Sequence, residues 1–135
     1  GAAAAAADAD TGLKAGALAK YVLGLVRAQV TVKTHVVRLL RHQKCFLAAD
    51  AIDVLCAELR CTRAHAVIVL RHAEDALLVH RLSLAATRSY DGATLLRFND
   101  DERRKYRRTP DPQRVAELER YVLRTQPAIA ERAAA

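Results

Sequence analysis

The hydrophobic period of the chain changes near Leu77, and that change narrows the folds open to it. Before it, apolar residues recur at three- and four-residue steps, the spacing of one helix face. Ala48 to Leu59 puts Ala51, Ile52, Leu55 and Leu59 on one stripe, with Asp50 and Asp53 near the start, where negative charge suits the helix dipole. Thr62 is a good N-cap for a following helix to about Ala76, whose inner stripe would be Ala66, Val69, Leu70, Ala73 and Leu77. After it, Leu78–Leu84 and Thr94–Phe98 read as two strands. The loop around Ser89-Tyr90-Asp91-Gly92 joins them, with a turn supplied by Gly92.

Upstream, a helix is expected from about Leu13 to Ala28, carrying Leu18, Val22, Leu25 and Val26 with Ala15 and Tyr21. Gly16 and Gly24 each weaken it by roughly 1 kcal/mol relative to alanine, so docking must hold it in place. Val30–Lys44 has two readings. Its β-branched start (Val30, Thr31, Val32, Thr34) suits a strand, while Val32, Val36, Leu39 and Leu40 suit a helix face. Beyond Phe98 the composition shifts: Asn99–Glu102 is acidic, Arg103–Arg108 strongly basic, and Thr109-Pro110-Asp111-Pro112 breaks the chain. Asp111 as N-cap and Pro112 at the first helical position open a last helix to about Thr125, with Val115, Leu118 and Val122 inward and Tyr121 beside them. The expected organisation is an Ala-rich disordered tail 1–11, a domain 12–100, a charged linker 101–112, a helix 113–126 packing back on the domain, and a tail 127–135 that ends disordered.

A chain of 135 residues holds one core. Apolar residues make up 52%, but 28 are alanine and only 4% are aromatic, so the core must be Leu, Val and Ile around small side chains. No run of 18 uncharged apolar residues exists, which excludes a transmembrane helix. Ala2–Ala7 lacks the basic start and Leu-rich centre of a signal peptide. With no methionine and a Gly1-Ala2 start, the expectation is an excised piece of a longer parent. Three cysteines, Cys45, Cys56 and Cys61, are too few for a secreted disulfide scaffold. The expected location is intracellular and cytoplasmic, with the plasma membrane and the nucleus both left open.

Helix, ambiguous segment, helix, helix, strand, loop, strand is the order of a winged helix. Within that class the resemblance is narrower. Cys45-Phe46-Leu47-Ala48-Ala49-Asp50-Ala51-Ile52-Asp53-Val54-Leu55 resembles the "CF-x-G-S-E/D-A-V-D-W-L" stretch of DEP domains (named for Dishevelled, Egl-10 and pleckstrin). Thr62-Arg63-Ala64-His65-Ala66-Val67 is similar to the family's "S-R-x-x-A-V" helix start. Leu77-Leu78-Val79-His80 resembles "G-L-I-x-H", and Asp91 through Leu96-Arg97-Phe98 resembles "D-x-x-x-L-Y-R-F". Order and approximate spacing hold over about residues 13–100. Ala48, Val54, Ala76 and Leu96 depart from the family's glycine, tryptophan, glycine and tyrosine. The resemblance implies an α+β, mainly helical, winged-helix fold: a three-helix core, a β-hairpin arm over residues 32–44 and a small C-terminal hairpin, to which this chain adds a C-terminal helix. It also implies contact of the arm and neighbouring surface with anionic membrane and protein partners.

Charge supplies the candidate sites. The net charge is +7. From Thr11 to Ala49 there are seven cations (Lys14, Lys20, Arg27, Lys33, Arg38, Arg41, Lys44) and no acid, with His35 and His42 able to add charge below about pH 6.5. Such a stretch is either an electropositive binding face, densest at Lys33, Arg38, Arg41 and Lys44, or simply a solvated surface. A second cluster, Arg103, Arg104, Lys105, Arg107 and Arg108 around Tyr106, suits phosphates, acidic peptide, a stacked base or nuclear localisation, or ion pairing with Asp100, Asp101 and Glu102.

A groove-reading third helix would show basic and amide side chains outward. Here the outer face would carry Ala64, His65, Ile68, Arg71, His72 and Asp75, a poor DNA reader. An exposed Ile68 between His65 and His72, with Arg71, looks more like a protein-contact patch. Cys56, Cys61, His65 and His72 lack the paired close spacing of a structural zinc site. No phosphate-binding glycine loop, GxSxG elbow or acid–base carboxylate pair is present. The expectation is therefore a non-catalytic, cofactor-free signalling interaction module, docking its parent on a protein partner, an anionic phospholipid surface, or both. The alternative is a winged-helix nucleic-acid-binding or transcription-complex subunit.

Overall fold

The two phenylalanines of the chain stack within the hydrophobic core, their ring centres 4.5 Å apart. The computed structural model describes residues 12–82 and 89–135. In chain order these form α1 (Ala17–Gln29), β1 (Lys33–Val37), β2 (Leu40–Leu47), α2 (Ala48–Leu59), α3 (Arg63–Asp75), β3 (Val79–Arg81), β4 (Leu95–Phe98), 3₁₀ turns at Asn99–Asp101 and Arg104–Tyr106, α4 (Pro112–Thr125) and α5 (Ile129–Ala134). The fold is α+β and mainly helical, with one antiparallel sheet in the order β1-β2-β4-β3.

Local chemistry sets most boundaries. The Thr62 hydroxyl accepts from the His65 amide and opens α3. Asp111 accepts from the Gln113 and Arg114 amides, and Pro112 starts α4 where no amide proton is needed. At the end of α3, the Leu78 amide donates to Ala73 O and the Leu77 amide to Glu74 O, a Schellman pair with Leu77 left-handed at φ 65°. Glycine would be cheapest there, one position beyond Ala76, the residue that the resemblance sets at a family glycine. On the far side of α3, the Tyr90 hydroxyl and Arg81 both donate to Glu74, and the Arg81 guanidinium lies 4.6 Å from the Tyr90 ring centre. Burial, then the Glu74 carboxylate, pushes the Tyr90 phenol well above its ordinary range.

The core is aliphatic as composition requires: Leu18, Val22 and Val26 of α1 meet Ile52 and Leu55 of α2, Val69 and Leu70 of α3, and Leu118 and Val122 of α4. The start of α1 has no capping side chain of its own. Its exposed amides are satisfied from α4, 100 residues away in sequence. Glu119, 2% exposed, accepts from the amides of Gly16 (3.2 Å), Leu18 (3.0 Å) and Ala19 (3.1 Å). The Ala17 amide donates to Lys14 O, which completes the set.

Several expectations shift. α1 begins at Ala17, not Leu13, because Gly16 is left-handed at φ 86° and turns the chain into the helix. The ambiguous segment is a hairpin. β3 ends at Arg81, although the Leu82 amide still donates to Leu95 O; residues 83–88, including the rest of the expected strand, lie outside the described residues, as does the tail 1–11. Gly92 lies in the turn as expected but has no positive φ, so its special backbone freedom does not fix it. The Asp91 carboxylate does, accepting from the Ala93 amide and the Thr94 hydroxyl. The expected tail instead carries α5, fastened by buried Ile129 and by Arg132, which pairs with Glu58 at 2.9 Å.

Glu119→Gln replaces one acceptor oxygen with a donor facing amide donors. It is expected to lower the unfolding free energy by about 1–3 kcal/mol in urea titrations, with hydrogen exchange at Leu18 and Ala19 quickening more than at Leu70.

Candidate functional site

The β1–β2 hairpin stands away from the body, with both faces open. Its register pairs His35 with His42, Val36 with Arg41 and Val37 with Leu40. Arg38 and Leu39 are left with a two-residue turn, both at positive φ, 50° and 67°. Such turns normally use Asn-Gly, because a side chain in the left-handed region costs on the order of 1–2 kcal/mol. The apolar residues around the turn face solvent: Val36 is 63% exposed, Leu40 65% and Leu39 95%. Arg38 and Arg41 flank them and, like Lys33 and Lys44 at the base of the arm, are exposed. The structure thus places four predicted cations on one projecting element, two beside its apolar tip and two at its base.

The arm is anchored at its base by a bulge. The register slips between Lys33 and His35, and Lys44 takes the left-handed value φ 52° within it. Beyond the bulge β2 leaves β1 for β4, pairing Phe46 with Leu96 and Leu47 with Leu95. Cys45 turns inward, fully buried, with His35 Nδ1 3.1 Å from its sulfur. Burial raises this thiol above its usual pKa, more than the His35 contact and Arg97 lower it.

Behind the arm lies a polar groove of about 460 Å³. Arg41, Gln43 and Lys44 of β2 form one wall; Arg103, Arg104, Tyr106 and Arg107 form the other; Arg97 lies at its floor with Asp101 and Glu102. The charged stretch after Phe98 is folded here. Asn99 donates through Nδ2 to Arg108 O (2.6 Å) and accepts from the Arg108 amide (2.9 Å), and Arg107 Nε donates to Glu102 O (2.8 Å). The acids are engaged by other groups: Asp101 pairs with Arg27 at 3.2 Å, and Glu102 with Arg97 at 2.9 Å and His80 at 3.0 Å. Among the described residues, Arg41, Lys44, Arg103 and Arg104 form no ion pair. Two basic clusters about sixty residues apart in sequence therefore share one groove. Lys105 and Arg108 do not line it; the Lys105 ammonium lies 5.0 Å from the Tyr106 ring centre.

The face expected on α3 is not open. Ile68, Arg71 and His72 are half-buried, not exposed. α4 packs over α3 and sets Tyr121 against the rings of His72 (5.3 Å) and His65 (6.2 Å). Arg71 Nε is buried without a hydrogen-bond partner. Ile68, Arg71 and His72 are thus separated from the arm residues as a site. Among the described residues no three His, Cys, Asp or Glu side chains are grouped to hold a metal ion. No described helix is long and apolar enough to cross a membrane. The residues that sequence reasoning missed are Val36, Val37, Leu39 and Leu40, whose exposure depends on the hairpin. Neither a protein-family model nor a curated protein matches this chain.

One pH response belongs to this site. Burial lowers the His80 pKa from its ordinary 6.5, outweighing the Glu102 carboxylate that raises it. Burial alone would raise Glu102, but the Arg103 amide, Arg97 and His80 together hold it below its ordinary 4.5. A His that stays neutral when folded loses stability as the pH falls below its unfolded value, here about 6.5. Glu102 adds stability above its unfolded pKa that is lost as its folded pKa is crossed on further acidification. Urea midpoints are therefore expected to fall in two steps on acidification, and His80→Gln should flatten the upper one.

Proposed function

We propose that this chain is a DEP-like winged-helix module without catalytic activity, which holds its parent protein at an anionic membrane surface through the β1–β2 arm. The order of elements, with a hairpin between the first two helices and a short antiparallel hairpin after the third, supports the winged-helix reading. The observation that carries the function is Leu39: an aliphatic side chain, 95% exposed, on a backbone conformation that costs energy, between Arg38 and Arg41. A leucine there gains nothing in the isolated fold. It gains on entering an apolar phase behind a layer of anions.

The mechanism has two stages. Lys33, Arg38, Arg41 and Lys44 are drawn to the negative surface potential, and Arg38 and Arg41, nearest the tip, contribute about 1 kcal/mol each at the bilayer. The tip then enters the interface, and burying Leu39 adds about 1.5–3 kcal/mol. Salt screens the first stage, over a Debye length of about 8 Å at physiological strength. Such a surface fits the cytoplasmic face of the plasma membrane. The nucleic-acid reading loses its groove-reading helix, since the outer face of α3 is half-buried beside α4, and retains the net charge and the basic cluster around Tyr106.

In sedimentation with vesicles, phosphatidylserine is expected to bring the protein down and neutral lipid is not. Leu39→Asp should weaken binding roughly tenfold, and joint replacement of Arg38, Arg41 and Lys44 by alanine by about 10–100-fold. Absence of binding to phosphatidylserine at low salt, or tight duplex DNA binding at physiological salt weakened by Arg71→Ala, overturns the proposal.

The turn gives an independent check. Changing Arg38→Asn together with Leu39→Gly should stabilise the fold by about 1–2 kcal/mol in thermal or urea melts, while lowering vesicle binding. A gain in stability with unchanged binding would count against the tip.

A further inference from the structure

We propose that the groove behind the arm is a recognition site for the multiply phosphorylated inositol headgroup of a membrane lipid, an inference that rests on the membrane-docking reading. The starting point is the convergence of Arg41 and Lys44 with Arg103, Arg104 and Arg107 on one cavity of about 460 Å³. That volume falls in the range of small-ligand sites, roughly 300–1,000 Å³. A solvated basic face would not need its acids removed, yet here both are paired: Asp101 with Arg27, Glu102 with Arg97 and His80. The excess positive charge therefore points at whatever enters.

Guanidinium groups select the chemistry. Their planar forks match phosphate oxygens two at a time, and three of the five cations are arginines on a loop that Asn99 pins through Arg108. One phosphodiester carries a single charge and would leave most of them unmatched. A headgroup with several phosphomonoesters carries enough charge to engage both walls.

Placement then identifies the source of the headgroup. Arg41 lines the groove and is also next to Leu40 of the apolar tip. At roughly 3.3 Å per strand residue it stands about 7 Å from Leu39. The polar layer of one leaflet is of similar depth, about 5–8 Å. With the tip in the interface, the Arg41 end of the groove lies level with the headgroups. Tyr106, exposed on the opposite wall, adds an amphipathic ring to the groove.

The test compares vesicles containing phosphatidylinositol bisphosphate with phosphatidylserine vesicles of equal surface charge, alongside calorimetry with soluble inositol trisphosphate. Binding to the bisphosphate vesicles is expected to be about tenfold tighter, with measurable binding of the soluble headgroup. Joint Arg103→Glu and Arg104→Glu should abolish that advantage and the calorimetric signal. Joint Lys105→Glu and Arg120→Glu changes charge equally outside the groove and should keep both. Equal binding to the two vesicle types overturns the proposal, as does equal loss in the two variants, or a single-stranded oligonucleotide binding more tightly than the headgroup. None of these results touches the docking reading, which is judged by Leu39→Asp on phosphatidylserine alone.

Discussion

The buried carboxylate of Glu119 ties the start of α1 to α4. A helix that starts on a glycine has no side chain to satisfy its first amides, and α1 contains a second glycine in its interior. Glu119 reaches from α4 to accept three of those amides and puts negative charge at the positive end of the α1 dipole. Once α1 is held there, its apolar stripe covers α2 while α4 covers α3. α4 is thus part of the core, and it also packs on the outer face of α3. The same interaction that completes the fold therefore removes a surface otherwise suited to partners.

The second organising constraint is the dual role of β2. Its first half belongs to the arm and its second half to the body, with the Lys44 bulge and buried Cys45 between them. This division lets the arm project without a flexible joint, because the inner half is fastened by Phe46 against Phe98. It also explains why left-handed backbone is concentrated here. Arg38, Leu39 and Lys44 all occupy it, where Asn or Gly would be cheaper. The function proposed for the arm accounts for the identities kept at the turn.

How far the site could be read from sequence differs by residue. The cations at 33, 38, 41 and 44 were visible as an acid-free run, and Arg103–Arg108 as a second cluster. That they share a groove was not visible, because it depends on β2 crossing to β4 and on Asn99 folding the following loop back. The apolar tip was hidden for another reason. Val36, Leu39 and Leu40 fit a helix stripe as well as a strand, and period alone does not separate the two over so short a span. Ile68 was misplaced because α4 was expected to pack on the domain without a defined partner face. Glu119 carries a signal in the sequence: it sits four residues after Val115 and three before Val122, on the inward side of α4.

By itself the sequence determined the local elements whose causes are local. Apolar period, the Thr62 and Asp111 caps and the Pro112 start gave α2, α3 and α4 nearly their observed bounds, since each depends on neighbours within a few residues. The long charge runs were equally plain, and so was the aliphatic character of the core. Tertiary structure alone decided which ends were satisfied and which surfaces stayed open. Glu119 meets its amides, the two basic clusters meet each other, and Tyr121 meets His72 only after distant segments pack. Those pairings depend on long-range geometry, and no periodicity in a single chain encodes it.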